Sequence, residues 1–344
     1  MKAFAHPDQA LHQPRWFVMR GRLCQNFEVV ARAEALLGGL SALGIAPELP
    51  PPAPRAALEA VHPAAFLDFL RDAPAQWAAL PDPGPELVPN IHPTPEMLAQ
   101  GGHAGPHVLQ RLGDFTADTS CPIGPGTWQA SVSAAACALA AAGEAAQGWT
   151  AYALCRPPGH HTYAARAGGH CYLNNAAIAV EALRRAGAAR VAVLDIDSHH
   201  GNGTQGIFWE RADVLTVSVH GDPDGYYPWY VGRAAERGGG AGEGYNLNLP
   251  LAHRSGDAAW LAAIDTGLSA IREFGADALV VSLGFDASEH EPLNYLSVTE
   301  AGFARAADAI SALKLPAAII QEGGYNTELI GALLQAFLGA WSRA

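Results

Sequence analysis

The run RVAVLDIDSHHGNG, residues 190–203, decides the architecture. Apolar residues follow one another from Val191 to Leu194 with no polar alternation, so a strand here is buried on both faces, as in a parallel sheet covered by helices. Working outward, NNAAIAVEALRRAG (174–187) reads as a helix before it and DVLTVSVHG (213–221) as a strand after it. Beyond a glycine-rich break come a helix DAAWLAAIDTGLSAIREFG (257–275), a strand ADALVVSLG (276–284), a helix TEAGFARAADAISALK (299–314), a strand AAIIQEGG (317–324) and a helix TELIGALLQAFLGAW (327–341). Upstream, WQASVSAAACALAAAGEAA (128–146) and VVARAEALLGGL (29–40) read as helices. The alternation predicts an α/β fold: a doubly wound, mainly parallel sheet with helices on both faces, binding its ligands beyond the carboxyl ends of the strands.

Composition narrows the function. The chain has 344 residues, a formal net charge of −12 and only 16% charged residues, a balance that excludes a nucleic-acid surface. The N-terminus has no apolar signal core and no run approaches a bilayer span, so the expectation is a soluble, cytoplasmic protein without membrane contact. Five cysteines, odd in number and without a CxxC pair, read as reduced thiols. We expect one domain over 1–344, interrupted by a long loop rich in Pro, Gly and His at about 81–127, whose length suggests a lid or a subunit contact.

The chemistry-bearing residues stand at strand ends. Asp195, Asp197 and His199 are two apart, so while the chain stays extended they share one side. Asp286 follows the next strand in VVSLGFD, and Tyr325 closes IIQEGGYN. A fourth cluster, RPPGHH (156–161), puts His160 and His161 side by side on a loop stiffened by two prolines. Asp and neutral imidazole suit a divalent metal, and two Asp plus one His leave positions open for water and substrate. Singly, such an Asp is more often a helix N-cap and such a His a structural donor; four clusters that converge on one cleft favour a metal site.

Taken in order, RPPGHH, GGHCYLNNAAIA, DIDSHHGNGTQ, SLGFDASEHEPL and EGGYN resemble the successive signatures of the histone deacetylase superfamily, of the arginase-like fold. The overall length, the segment before GPGTW and FEVVARAE near the N-terminus look most like its bacterial acetylpolyamine amidohydrolase branch. The resemblance implies a metal, zinc with iron or cobalt as variants, held by Asp197, His199 and Asp286. It implies that Tyr325 donates to the substrate carbonyl, that His160 and His161 flank the attacking water, and that the Gly169 carbonyl receives the scissile amide N–H. Asp195 would orient His160, and Asn202 would meet His161 where many relatives have Asp. One structural potassium ion is implied at Asp195, Asp197, His199 and Ser218, and a homodimer is implied through the long insertion.

The chemistry explains the need for those groups. An amide is a poor electrophile, so a metal polarises its oxygen and lowers the pKa of water from 15.7 toward roughly 7. Imidazole can remove that proton and later protonate the leaving amine. An uncharged partner stabilises imidazolium less than a carboxylate does, which makes His161 the expected general base.

Substrate choice is less determined. Polyamine-type relatives carry glutamates at the channel mouth, whereas QPRWFVMRGRL (13–23) puts Phe17 in that place with Arg15, Arg20 and Arg22 near it. Asp118 is expected to supply a carboxylate, and His170, Tyr227 and Leu293 to form the wall, with YYPWY (226–230) divided between wall and core. The leading expectation is hydrolysis of small N-acylated amines such as acetylpolyamines. Neutral small amides, a protein acetyl-lysine deacetylase and a non-catalytic binding protein follow as alternatives.

Overall fold

The computed structural model describes residues 1–343. In chain order the strands are β1 (Lys2–Phe4), β2 (Trp16–Met19), β3 (Arg22–Gln25), β4 (Thr150–Ala153), β5 (Val191–Asp195), β6 (Val214–Gly221), β7 (Asn246–Leu251), β8 (Ala278–Leu283) and β9 (Ala317–Gln321). The helices are α1 (Val30–Ala42), α2 (Arg55–Leu58), α3 (Ala64–Ala78), α4 (Pro95–Ala99), α5 (Val108–Phe115), α6 (Thr127–Ala146), α7 (Asn175–Arg185), α8 (Asn202–Phe208), α9 (Asp257–Phe274), α10 (Glu300–Ser311) and α11 (Ile330–Trp341).

Seven strands form one sheet in the order β1-β4-β9-β8-β5-β6-β7, every neighbouring pair parallel, while β2 and β3 make a separate antiparallel hairpin. Successive strand residues face opposite sides. Val191 and Val193 pack with α6 and α7 on one face; Ala192 and Leu194 pack with α9, α10 and α11 on the other. Parallel strands need long crossovers, and α6, α7, α9 and α10 lie in such connections, while α11 follows the last strand. The path leaves β5 toward β6 and β7, then returns to place β8 on the opposite flank of β5. That reversal opens a crevice at the carboxyl ends of β5 and β8, the place where such sheets bind ligands.

Helix α1 closes the sheet through backbone contact with α11. A Cβ built on Gly39 would lie 2.6 Å from the Gly331 carbonyl oxygen, and one on Gly331 would lie 2.6 Å from that of Ala35. Overpacking such a contact forces the backbones apart. Gly39→Leu is therefore expected to destabilise the fold by about 1–3 kcal/mol, seen as a lower urea midpoint at unchanged slope. An unchanged midpoint would show that the two helices separate without cost.

Some elements escape the sequence pattern. Strands β1 and β4 are only three and four residues long, too short for a periodicity to register. NLNLPL forms β7, an edge strand, and edges tolerate the proline at 250. Residues 81–127, expected as one long loop, instead carry α4, started by Pro95 and capped by Thr94, and α5. Leu87 pairs with Ile123 through two backbone bonds of 2.9 and 3.0 Å, and both side chains are buried with Val108 and Leu112. Ile91, Met97, Leu98 and Leu109 of the same segment stay exposed. Among the described residues all five cysteines are free, and no helix is long and apolar enough to cross a membrane.

Candidate active site

Four adjacent strands, β4, β9, β8 and β5, deliver the candidate residues from their carboxyl ends. Asp195 ends β5 and the loop after it carries Asp197 and His199; the loop after β8 carries Asp286, that after β9 Tyr325 and that after β4 the paired histidines. Strand β5 stops at Asp195, so the three residues do not share an extended edge as expected. Turns held by side chains re-aim them: the Asp197 N–H donates to Asp195 Oδ1 at 3.1 Å and the His199 N–H to Asp197 Oδ1 at 2.8 Å. Asp195 consequently faces the paired histidines, while Asp197 faces Asp286.

The ligand atoms of Asp197, His199 and Asp286 lie within 4.8 Å of one another, all buried. His199 Nδ1 is 3.1 Å from Asp197 Oδ1 and 3.0 Å from Asp286 Oδ2. Gly323 makes room for the cluster, since a Cβ there would come within 2.2 Å of Asp286 Oδ2. Among the described residues no Lys or Arg pairs with either carboxylate; only His160 and His199 do. Burial pushes the Asp286 carboxyl up, and Asp197 beside it adds to the shift. Burial opposes a charged His199, yet Asp286 and Asp197 raise it to about 9. Two buried carboxylates and an imidazole nitrogen within 4.8 Å of one another, with no Lys or Arg paired to them among the described residues, fit a divalent metal ion.

The RPPGHH turn aims both imidazoles inward because a buried carboxylate gathers its backbone. Glu322 Oε2 accepts the N–H groups of Gly159 at 2.7 Å and His160 at 3.1 Å. Gly159 sits so close to the next loop that a Cβ would meet Asn175 N at 2.5 Å and Leu173 O at 2.7 Å. The two rings lie 4.0 Å apart between centroids. His160 Nδ1 meets Asp195 Oδ2 at 2.9 Å, and His161 Nδ1 meets Asn202 Oδ1 at 2.6 Å. Burial opposes protonation of His160, but Asp197 and Asp195 lift it well above the usual imidazole range. Burial, then His160 and His199, push His161 well below it. The surroundings therefore push the two adjacent rings in opposite directions.

Tyr325 is fixed from behind. Its ring lies over the buried Arg32 guanidinium, 4.7 Å from the centroid, and its N–H donates to the Glu291 carboxylate. Arg32 Nε donates to the Gly324 carbonyl at 2.5 Å and Nη2 to that of Glu322 at 2.7 Å. Glu28 ion-pairs with both Arg32 and Arg156, and Arg156 also grips the carbonyls of Gln9 and His12. Burial pushes the Tyr325 hydroxyl up, so it stays a donor. Sequence reasoning missed Glu322, Glu291, Arg32 and Glu28. Glu322 had a visible signal, a carboxylate directly after an apolar strand; the Glu28–Arg32 pair has only an i,i+4 spacing common on helical surfaces.

A cavity of about 810 Å³ opens over this floor. Phe17, Asp118, Gly169, His170, Tyr227 and Leu293, the six expected wall residues, line it together with His161, His199 and Tyr325. Of the basic residues expected near Phe17 only Arg20 reaches the lining. The aromatic stretch at 226–230 is wall rather than core: Tyr226, Tyr227 and Trp229 line the cavity and Tyr230 is exposed. Asp118 lines the cavity as expected, and its carboxylate is held in place by three donors. Its Oδ2 accepts the Tyr227 hydroxyl at 2.6 Å and the Gly169 N–H at 3.1 Å, and its Oδ1 the Ser120 N–H at 2.7 Å. Ser218 lies level with Asp195 across β5 and β6, its hydroxyl 2.8 Å from His220 Nδ1.

Comparison with known proteins identifies the family. The histone deacetylase domain model matches residues 26–341. The chain belongs to the histone deacetylase family. Its chemistry is accordingly that of a deacetylase or amidohydrolase, and its sheet is that of the histone deacetylase fold. It is 46% identical to an acetylpolyamine amidohydrolase of Burkholderia pseudomallei, over 99% of this chain and 98% of that one. Acetylpolyamine amidohydrolase 1 of Pseudomonas aeruginosa is 43% identical, covering 97% of each chain. The crystal structure of an acetylpolyamine aminohydrolase from Burkholderia pseudomallei superposes with a TM-score of 0.95 at 45% identity, covering 99% of this chain and 98% of that one.

Proposed function

We propose that this family member is a zinc-dependent amidohydrolase that removes acetyl groups from small acylated amines, acetylpolyamines first among them. The observation that carries the reading is that His199, clustered with Asp197 and Asp286, lines one cavity with His161 and Tyr325. Relatives named for acetylpolyamine hydrolysis, aligned over nearly the whole chain, support the substrate class.

Asp197, His199 and Asp286 would hold the zinc, which when bound supplies Lewis acidity toward the amide oxygen and toward water. His161 faces the cavity, is pushed toward its neutral form by burial, and takes the proton from the attacking water, then returns it to the leaving amine. His160, paired with Asp195 and pushed toward its cationic form by the carboxylates around it, stabilises developing negative charge. The Tyr325 hydroxyl donates to the substrate oxygen as it becomes an oxyanion. The Gly169 carbonyl accepts the amide N–H and so fixes the substrate's orientation. Asp195, Asp197, His199 and Ser218 offer oxygens for a potassium ion at the root of the same loop, where it would serve structure only.

One observation favours a second reading, hydrolysis of neutral small amides: Asp118, the wall's carboxylate, is already engaged, and Arg20 stands at the mouth. The test is a panel assayed with zinc-loaded enzyme: N-acetylputrescine, N-acetylcadaverine, an acetyl-lysine peptide and a neutral N-alkylacetamide of matched length. Higher kcat/KM for the acetylated diamines than for the neutral amide is expected. A preference for the neutral amide would transfer the reading to that class and leave the hydrolytic machinery as described.

A further inference from the structure

We propose that Tyr226 is a positioning residue for the metal-ligating ring of His199, holding it by face-to-face stacking and by a hydroxyl that ties three loops together. The proposal rests on the metal site described above.

A metal-bound histidine is usually oriented through its second ring nitrogen, which donates to a carboxylate or a backbone carbonyl. His199 points Nδ1 at Asp197 and Asp286, and among the described residues none hydrogen-bonds its Nε2. The imidazole plane is set by another means. The Tyr226 ring lies 4.4 Å from it between centroids at an interplanar angle of 18°. Tyr295 covers the far side of Tyr226 at 4.5 Å and 25°, so Tyr226 cannot swing away from His199 without displacing a second ring.

The hydroxyl sets the height of the stack. It donates to the Leu293 carbonyl at 2.8 Å and lies 3.0 Å from Ser198 Oγ. The Ser198 N–H in turn donates to Asp286 Oδ1 at 2.7 Å. Tyr226 therefore touches the loop after β5 and the loop after β8, which carry all three ligands between them. Gly221 admits the arrangement, because a Cβ there would come within 2.4 Å of the Tyr295 ring and 2.9 Å of the Tyr226 ring.

Zinc affinity measured by chelator competition, with the absorption spectrum of the cobalt(II)-loaded protein as a second readout, tests this in the full-length chain. Tyr226→Leu should weaken zinc binding on the order of 10- to 100-fold and alter the cobalt spectrum. Tyr226→Phe, which keeps the ring, should recover most of that affinity, leaving a deficit of a few-fold. Wild-type affinity and an unaltered cobalt spectrum in Tyr226→Leu would overturn the proposal. Should that variant not fold, the decision passes to Tyr226→Phe and Tyr295→Ala: a few-fold loss in each upholds the proposal and wild-type affinity in both overturns it. Asp286→Ala separates the two levels of inference. If it binds zinc like the wild type, the metal reading has failed; if it loses zinc while the Tyr226 and Tyr295 variants do not, only the positioning role has.

Discussion

Tyr325→Phe is expected to lower kcat by about 10²–10³ with little change in KM, the size of effect seen when one oxyanion donor is removed. The substitution deletes a single oxygen. The ring stays over Arg32, the backbone N–H still donates to Glu291, and Arg32 still holds the carbonyls at 322 and 324. Ground-state binding along the aromatic wall is therefore preserved, and the loss falls on charge that develops only in the transition state. A KM rise with unchanged kcat would place Tyr325 in substrate binding and remove it from the chemistry. The hydroxyl stays protonated across the neutral range, since burial raises it, so the defect should be the same at every neutral pH tested.

What could be read from the sequence follows from how local each signal is. Strand β5 was legible because a doubly buried strand is apolar at every position, and α9 and α11 because long helices repeat their pattern. Strand β4 was not, since TAYA is four residues long and gains its identity only by pairing with β1 and β9. In the candidate site the type of residue was legible in the chain itself, the partners of His160 and His161 only through the family resemblance, and the partners of Asp118 not at all. Asp118 shows the difference: its charge suggested a free anion at the mouth, but folding brings the Tyr227 hydroxyl and the Gly169 N–H onto it from distant positions. Glu322 shows the converse, an unremarked carboxylate that turns out to shape the histidine loop.

The two histidines of that loop should differ under mutation, and their partners say how. His161→Ala removes the group that faces the cavity and that burial pushes toward its neutral form, so kcat should fall by about 10²–10⁴, the contribution expected of a general base. His160→Ala removes the ring that Asp197 and Asp195 push toward its cationic form and should cost less, on the order of 10–10²-fold. Full activity in His161→Ala with loss in His160→Ala would exchange the two roles. Asn202→Asp supplies the pH test. The Asn202 amide oxygen accepts from His161 Nδ1 at 2.6 Å without charge; a carboxylate there would stabilise imidazolium and raise the folded pKa of His161. A base must be deprotonated to act, so a raised pKa requires a higher pH for the same neutral fraction. The acidic limb of the kcat/KM profile in Asn202→Asp should thus move toward higher pH, and a limb that stays in place would mean that His161 is not the group whose deprotonation it records.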